Sequence, residues 1–204
     1  MDNKHQIFRL SNYRNILYRL KSLGFIRFFS DNIADTMDIS ASQVRKDFSA
    51  FNIKGNQKGG YYIDEVLEKT NEILGKKEFH KIIIAGVGRI GQALMQYKGF
   101  HKENINIAAG FDININKINE KAIPPILHIN DLKQFVQKEN IRIGIITVPD
   151  LAAQQVFELL LAANIIGILN FTAVKFKATE GVIINSINIE HELENLIYFV
   201  NNLK

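Results

Sequence analysis

The sequence predicts an α/β protein in which a small helical module precedes a doubly wound parallel sheet. Three observations carry that prediction. The runs Lys81-Ile82-Ile83-Ile84-Ala85 and Ile143-Gly144-Ile145-Ile146-Thr147-Val148 lack polar alternation, as strands buried on both faces require. A glycine cluster follows the first run directly and opens a helix. The excess positive charge is confined to the first third: residues 1–77 hold 13 Lys and Arg against 9 Asp and Glu, and residues 78–204 hold 12 of each. Domains are therefore drawn at 1–77, 78–188 and 189–204.

Composition removes several classes. Of 204 residues, 47% are hydrophobic and 23% charged, ordinary for a globular chain and unlike disorder or coiled coil. No apolar run reaches the roughly 18 residues that span a bilayer. Lys4, Arg9, Arg14, Arg19 and Lys21 interrupt any secretory signal. Cysteine is absent, which excludes disulfide scaffolds and thiolate metal sites. A soluble cytoplasmic protein without a membrane partner is expected.

In the first module, Leu10, Tyr13, Leu17 and Leu20 recur at helical spacing over 6–22, and Gly24 ends the pattern. A second helix is expected from Ser30, as its cap, to Met37, with Ile33, Ala34 and Met37 on one face. Ser40-Ala41-Ser42-Gln43 reads as a capping box that opens a third helix from Ser42 to about Phe51. Val44 and Phe48 point one way; Arg45 and Lys46 point elsewhere. Lys54 to Ile63, rich in Gly and Lys and then in β-formers, suggests a hairpin with a mobile tip. Three short helices and such a hairpin follow the order of a winged helix-turn-helix. Residues 64–75 form a further helix ending at Gly75.

The third helix is where such a module meets DNA. Ser42, Gln43, Arg45 and Lys46 near its start are placed to reach base edges and phosphates, and Lys54 and Lys58 on the wing to track the backbone. A solvated basic helix face is the plainer reading of the same residues, and capping alone explains Gln43.

In the second module, Gly86-Val87-Gly88-Arg89-Ile90-Gly91 joins strand to helix. Gly86 permits the tight turn, Gly88 lets a pyrophosphate approach the backbone, and Gly91 lets helix and strand pack closely. Ile107 to Asp112 is a second strand. Its terminal acid lies 21 residues beyond Gly91, placed for a ribose diol, which favours NAD(H) over its 2′-phosphorylated form. Thr147-Val148-Pro149 and Asn170-Phe171 end later strands, where open sheets bind ligands or simply pack. Residues 131–138 and 151–163 are helical, and residues 189–203 form an amphipathic helix with Leu193, Leu196, Ile197, Val200 and Leu203. The whole reads as a Rossmann-type sheet. His5, His80, His101, His128 and His191 lie in no catalytic context, and about 33 residues after Phe171 leave no substrate domain. The sheet reads as a sensor of NADH/NAD+ rather than an enzyme. A small NAD-dependent oxidoreductase is the alternative.

The order Gln43-Val44-Arg45-Lys46-Asp47, the glycine fingerprint, Thr147-Val148-Pro149 and Leu169-Asn170-Phe171 resembles the Rex family of redox-sensing repressors, from about Phe8 to Asn201. The resemblance implies a homodimer on a palindromic double-stranded operator, released as NADH rises, with a C-terminal helix swapped between subunits. It also implies a ligand-sensitive role for Tyr97. Departures from the pattern are Gln57-Lys58 for a wing arginine, Asn15 and Asn188 for a charged pair, and Ala173 for a proline that would stiffen the loop after Phe171. These leave open a DNA-binding paralogue with a weakened NADH response.

Overall fold

The repeat at residues 6–22 becomes helix α1 (Lys4–Ser22) in the computed structural model, which describes residues 4–56, 59–177 and 179–203. Contacts divide the chain after Glu78. In the first unit α1 is followed by β1 (Arg27–Phe28), α2 (Ser30–Met37), α3 (Ala41–Ala50), β2 (Tyr61–Tyr62) and α4 (Ile63–Ile73). Leu10, Tyr13 and Leu17 of α1 are fully buried against Ile33, Val44 and Phe48. Phe48 is the hub, with Tyr13, Phe28 and Tyr61 around it at ring separations of 5.0–6.1 Å.

Two expectations for this unit change. Ser30 is not the cap of α2: Phe29 holds that position, and its N–H donates to the Asn32 side chain at 2.8 Å. Ser30 lies within the helix, buried, as an acceptor for Arg45. The hairpin contracts to an antiparallel bridge between Asn56 and Gly60, and the strand that follows pairs with the two-residue β1 instead. Gly60 has φ +68°, and a Cβ there would lie 2.4 Å from the Phe28 carbonyl, so only glycine closes this turn. Gln57 and Lys58 lie outside the described residues.

The second unit runs β3 (His80–Ala85), α5 (Arg89–Met95), α6 (Gly99–Lys102), β4 (Ile105–Asp112), β5 (Ile126–His128), α7 (Leu132–Glu139), β6 (Ile143–Ile146), α8 (Asp150–Ala162), β7 (Gly167–Asn170), β8 (Ile183–Ser186) and α9 (Ile189–Asn201). Among the described residues the sheet has six strands, all parallel, in the order β5-β4-β3-β6-β7-β8. Numbered within the sheet this is 3-2-1-4-5-6, the doubly wound order. The unbroken apolar strands are explained by burial on both faces. Ile83 and Ala85 meet Leu132, Val136, Phe157 and Leu160 on one side; Ile82 and Ile84 meet Leu94, Met95 and Phe100 on the other.

The sequence carries no strand signal at the edge strands β5 and β8. They are short and only partly buried, so they carry no continuous apolar run. Asn188 caps helix α9, its side chain accepting the His191 N–H at 2.9 Å. The helix has no buried residue, and Leu193, Leu196, Ile197 and Val200 are each more than half exposed. No described helix is long and apolar enough to cross a membrane.

Candidate functional site

The order of the sheet reverses between β3 and β6, and the loops leaving these two strands meet there. Gly86 leaves β3 with φ +99°, its missing Cβ facing Thr147 and Val148. The Thr147 hydroxyl donates to the Gly86 carbonyl at 2.6 Å, and the Thr147 N–H donates to the Ala85 carbonyl at 2.9 Å. These bonds tie the loops together at the switch point. Gly91, in the first turn of α5, lies so close that a Cβ would sit 2.1 Å from the Gly86 carbonyl oxygen. Gly88 differs, because a Cβ there would meet no protein atom within 4 Å. The space beside it belongs to a cavity of about 650 Å³.

Gly86, Gly88, Arg89, Ile90, Asp112, Thr147, Val148 and Pro149 all line this cavity. Val87 lies beneath it, buried, and contributes its N–H to Asp112 at 2.9 Å. The Asp112 carboxylate also accepts the Asn114 N–H at 2.9 Å and the Lys117 ammonium at 2.8 Å. Burial pushes this carboxyl up, but the bonds from Lys117, Asn114 and Val87 outweigh it and hold it below the usual carboxylate range. The site therefore ends in a fixed anion with its own counter-ion.

Three of the expected residues lie elsewhere. Asn170 is fully buried and spends its side chain on its own loop, accepting from the Thr172 N–H and hydroxyl and donating to the Val174 carbonyl at 2.9 Å. Phe171 packs with the cluster beneath Leu94 and Phe100. Tyr97 is 60% exposed and meets Phe100 edge-on at 5.0 Å, on the rim of a second groove. Ala173 does not leave its loop untethered: its N–H donates to Asp150 at 3.0 Å, a bond that proline could not make.

Sequence reasoning missed the far wall of the cavity. Ala152, Val156 and Leu159 of α8 line it at i, i+4 and i+7, a helical spacing that was legible but unassigned. It also missed Lys117, the sole charge between Ile113 and Asn119.

In the first unit, Ser40 caps α3 by accepting the Gln43 N–H at 3.1 Å. The reciprocal half of the capping box is absent, because the Gln43 side chain donates to Asp47 at 2.9 Å. Gln43 is thus half-buried, with its side-chain amide turned to Asp47. Ser42, Arg45 and Lys46 are exposed on the face opposite Val44, Asp47 and Phe48. Arg45 donates one N–H to Ser30 at 2.8 Å and keeps the rest of its planar fork for a partner. Lys54 is exposed, and Lys58 lies outside the described residues. Arg27, unassigned from the sequence, stacks over the Tyr62 ring at 4.0 Å and adds a cation beside Gly59.

Comparison with known proteins adds to this geometry. Residues 4–49 match the family model described as putative DNA-binding protein N-terminus, and residues 77–174 match the CoA binding domain model. The redox-sensing transcriptional repressor Rex of Oenococcus oeni is 36% identical over 202 residues, covering 96% of this chain and 91% of that protein. The chain belongs to the Rex family. Rex of Bacillus subtilis is 35% identical, covering 94% of this chain and 89% of its own length. The crystal structure of RSP in complex with β-NAD+ and operator DNA matches with a TM-score of 0.94 at 29% identity, covering 98% of this chain and 93% of that one. RSP in complex with β-NADH matches at 0.88, covering 98% and 95%. The Rex relatives are transcriptional repressors, not enzymes.

Proposed function

We propose that this chain is a redox-sensing transcriptional repressor that holds palindromic operator DNA as a homodimer and releases it when NADH binds. The observation that carries the reading is the presence in one chain of two sites. One is the exposed Ser42–Arg45–Lys46 helix face; the other is a 650 Å³ cavity at the switch point of a 3-2-1-4-5-6 sheet. Residues 1–77 are the DNA-binding domain, 78–188 the NAD(H)-binding domain and 189–204 the helix exchanged between subunits. NADH and operator DNA both occur in the cytoplasm, where this reading places the protein.

The roles follow from the chemistry of each group. Arg45 reads a base edge, guanine being the usual partner of its fork, while Lys46, Lys54 and Lys58 neutralise phosphates and Ser42 donates to one. At the other site Gly88 leaves room for the pyrophosphate, with Val87, Arg89, Ile90 and Gly91 around it at the start of α5. Asp112 takes the adenosine ribose, and Thr147, Val148 and Pro149 form the floor. Asn170 shapes the neighbouring loop with Phe171, and Tyr97 takes part in the ligand-sensitive contacts. No hydride is transferred; the cofactor contributes differential binding energy.

Release is a coupling free energy between the two sites. Recognition helices must sit about 34 Å apart to enter successive major grooves. NADH therefore favours an arrangement of subunits that misses this spacing. The test is fluorescence anisotropy of a labelled palindromic operator, with NADH and NAD+ added in parallel. Release by NADH alone is expected. Binding that NADH cannot reverse would leave a DNA-binding paralogue without the switch. Oxidation of NADH with aldehydes or 2-keto acids would instead favour the oxidoreductase.

A further inference from the structure

Phe29 is an apolar ring on a charged surface. It is 51% exposed, and among the described residues it joins neither the core of the first unit nor any ring pair around Phe48. Its place as the cap of α2 does not use the ring, because the backbone N–H makes the bond to Asn32. A single exposed apolar residue is ordinary on a protein surface. Position sets this one apart.

The next residue, Ser30, accepts Arg45 at 2.8 Å, so the ring stands beside the anchored guanidinium of α3. On its other side it lies against the turn of the wing, where a Cβ on Gly60 would be 3.2 Å from the Phe29 ring. Extended backbone turns Phe28 into the core and sends Arg27 and Phe29 to the opposite, exposed side. Arg27 holds its charge over the Tyr62 ring at 4.0 Å. The Phe29 ring is thus flanked by two guanidinium groups and bridges α3 and the wing. Such a surface attracts a polyanion and offers it one apolar contact. The apolar group that duplex DNA presents in its major groove is the C5-methyl of thymine, and phenylalanine is one of the side chains that meet it. We infer that Phe29 packs against a thymine methyl in the base pair next to the one that Arg45 reads, and so sets operator specificity at that position. The inference rests on the reading of the α3 face as the DNA-binding surface.

The test selects a palindromic operator from a random duplex pool with the unaltered chain. Each thymine is then replaced by deoxyuridine in both half-sites together, which removes the methyl and nothing else. One position should lose affinity by about fourfold per half-site, the scale of one buried methyl, and about fifteenfold for the whole operator. Phe29→Ala should lose as much on the thymine operator and become blind to the replacement. Phe29→Leu, which keeps an apolar side chain, should stay sensitive. The ring carries no charge, so the log–log salt slope should be the same in Phe29→Ala and the unaltered chain. Urea unfolding should also be the same, because the ring lies outside the core. An unaltered chain with no sensitive thymine, or a Phe29→Ala variant that keeps the sensitivity, would overturn the inference. An unaltered chain that selects no DNA would overturn the reading of the α3 face, and this inference with it.

Discussion

Asp47 of α3 accepts a two-pronged pair from Arg9 of α1, Nε to Oδ2 at 2.6 Å and Nη2 to Oδ1 at 2.8 Å. The Tyr13 hydroxyl and the Gln43 amide fill the remaining positions at 2.7 and 2.9 Å. All four lone-pair positions of a fully buried carboxylate are thereby used. The helix that presents Arg45 and Lys46 is held to α1 by this cluster, so the orientation of that exposed basic face depends on a charge inside the domain.

Removing that carboxylate leaves a cation and a buried hydroxyl without partners. Asp47→Ala should therefore lower stability by about 3–5 kcal/mol, read as a shift in urea unfolding of the full chain. The pH dependence has a definite sign. Burial pushes the Asp47 carboxyl up, but Arg9, Tyr13 and Gln43 more than reverse this and hold it below the usual range. Its contribution is complete above the ordinary carboxylate pKa and is lost as pH falls through the lowered one. Asp47→Asn should flatten the acid limb of stability against pH; an unchanged acid limb would remove Asp47 as its source.

Arg45 and Lys46 should separate in a binding assay. Arg45→Ala is expected to cost about 1–3 kcal/mol on the cognate operator and little on unrelated DNA. Lys46→Ala should weaken both alike and reduce the log–log salt slope by about 1. A dimer making roughly 6–10 phosphate contacts would give a slope near −5 to −9. NADH affinity should be unchanged in both variants.

The glycines of the fingerprint should fail in different ways. In Gly91→Ala the added methyl meets the Gly86 carbonyl oxygen, so loss of thermal stability is expected along with loss of NADH binding. In Gly88→Ala the methyl meets no protein atom, so the melting temperature should hold while NADH affinity falls. Equal melting temperatures for the two variants would contradict the packing described at Gly91.

Asp112→Ala should weaken NADH binding by about 10- to 100-fold, the scale of hydrogen bonds to a charged group. Operator binding by the free protein should persist, because Asp112 lies in the other unit. The diagnostic result is an operator complex that forms normally and needs far more NADH to release.

Helix α9 leaves Leu193, Leu196, Ile197 and Val200 uncovered by its own chain. Leu196→Asp with Val200→Asp should convert a dimer to a monomer by light scattering and abolish binding to a two-half-site operator. A dimer that survives these charges would place the interface elsewhere.

Much of the fold was legible because its signals are local. The unbroken strands at 80–85 and 143–146 announce burial on both faces without knowledge of their neighbours. Gly86, Gly88 and Gly91 announce a backbone that needs space, and Asp112 lies at a fixed count beyond them. The capping serine and the split of Val44 and Phe48 from Arg45 and Lys46 follow from the period of a helix. What stayed hidden depends on partners distant in sequence. The short edge strands β5 and β8 exist only because β4 and β7 present hydrogen-bonding edges to them.

The sequence by itself determined the two-part architecture, the place of the dinucleotide fingerprint and the helix that carries the basic face. Only the tertiary structure decided how individual side chains are spent. Gln43 turns inward to Asp47, Asn170 closes its own loop, Ser30 receives Arg45, and Lys117 rather than solvent answers Asp112. The physical reason is that periodicity and turn chemistry are set by residues within a few positions of one another. A hydrogen bond between Arg9 and Asp47, 38 residues apart, exists only once the chain has packed α3 against α1.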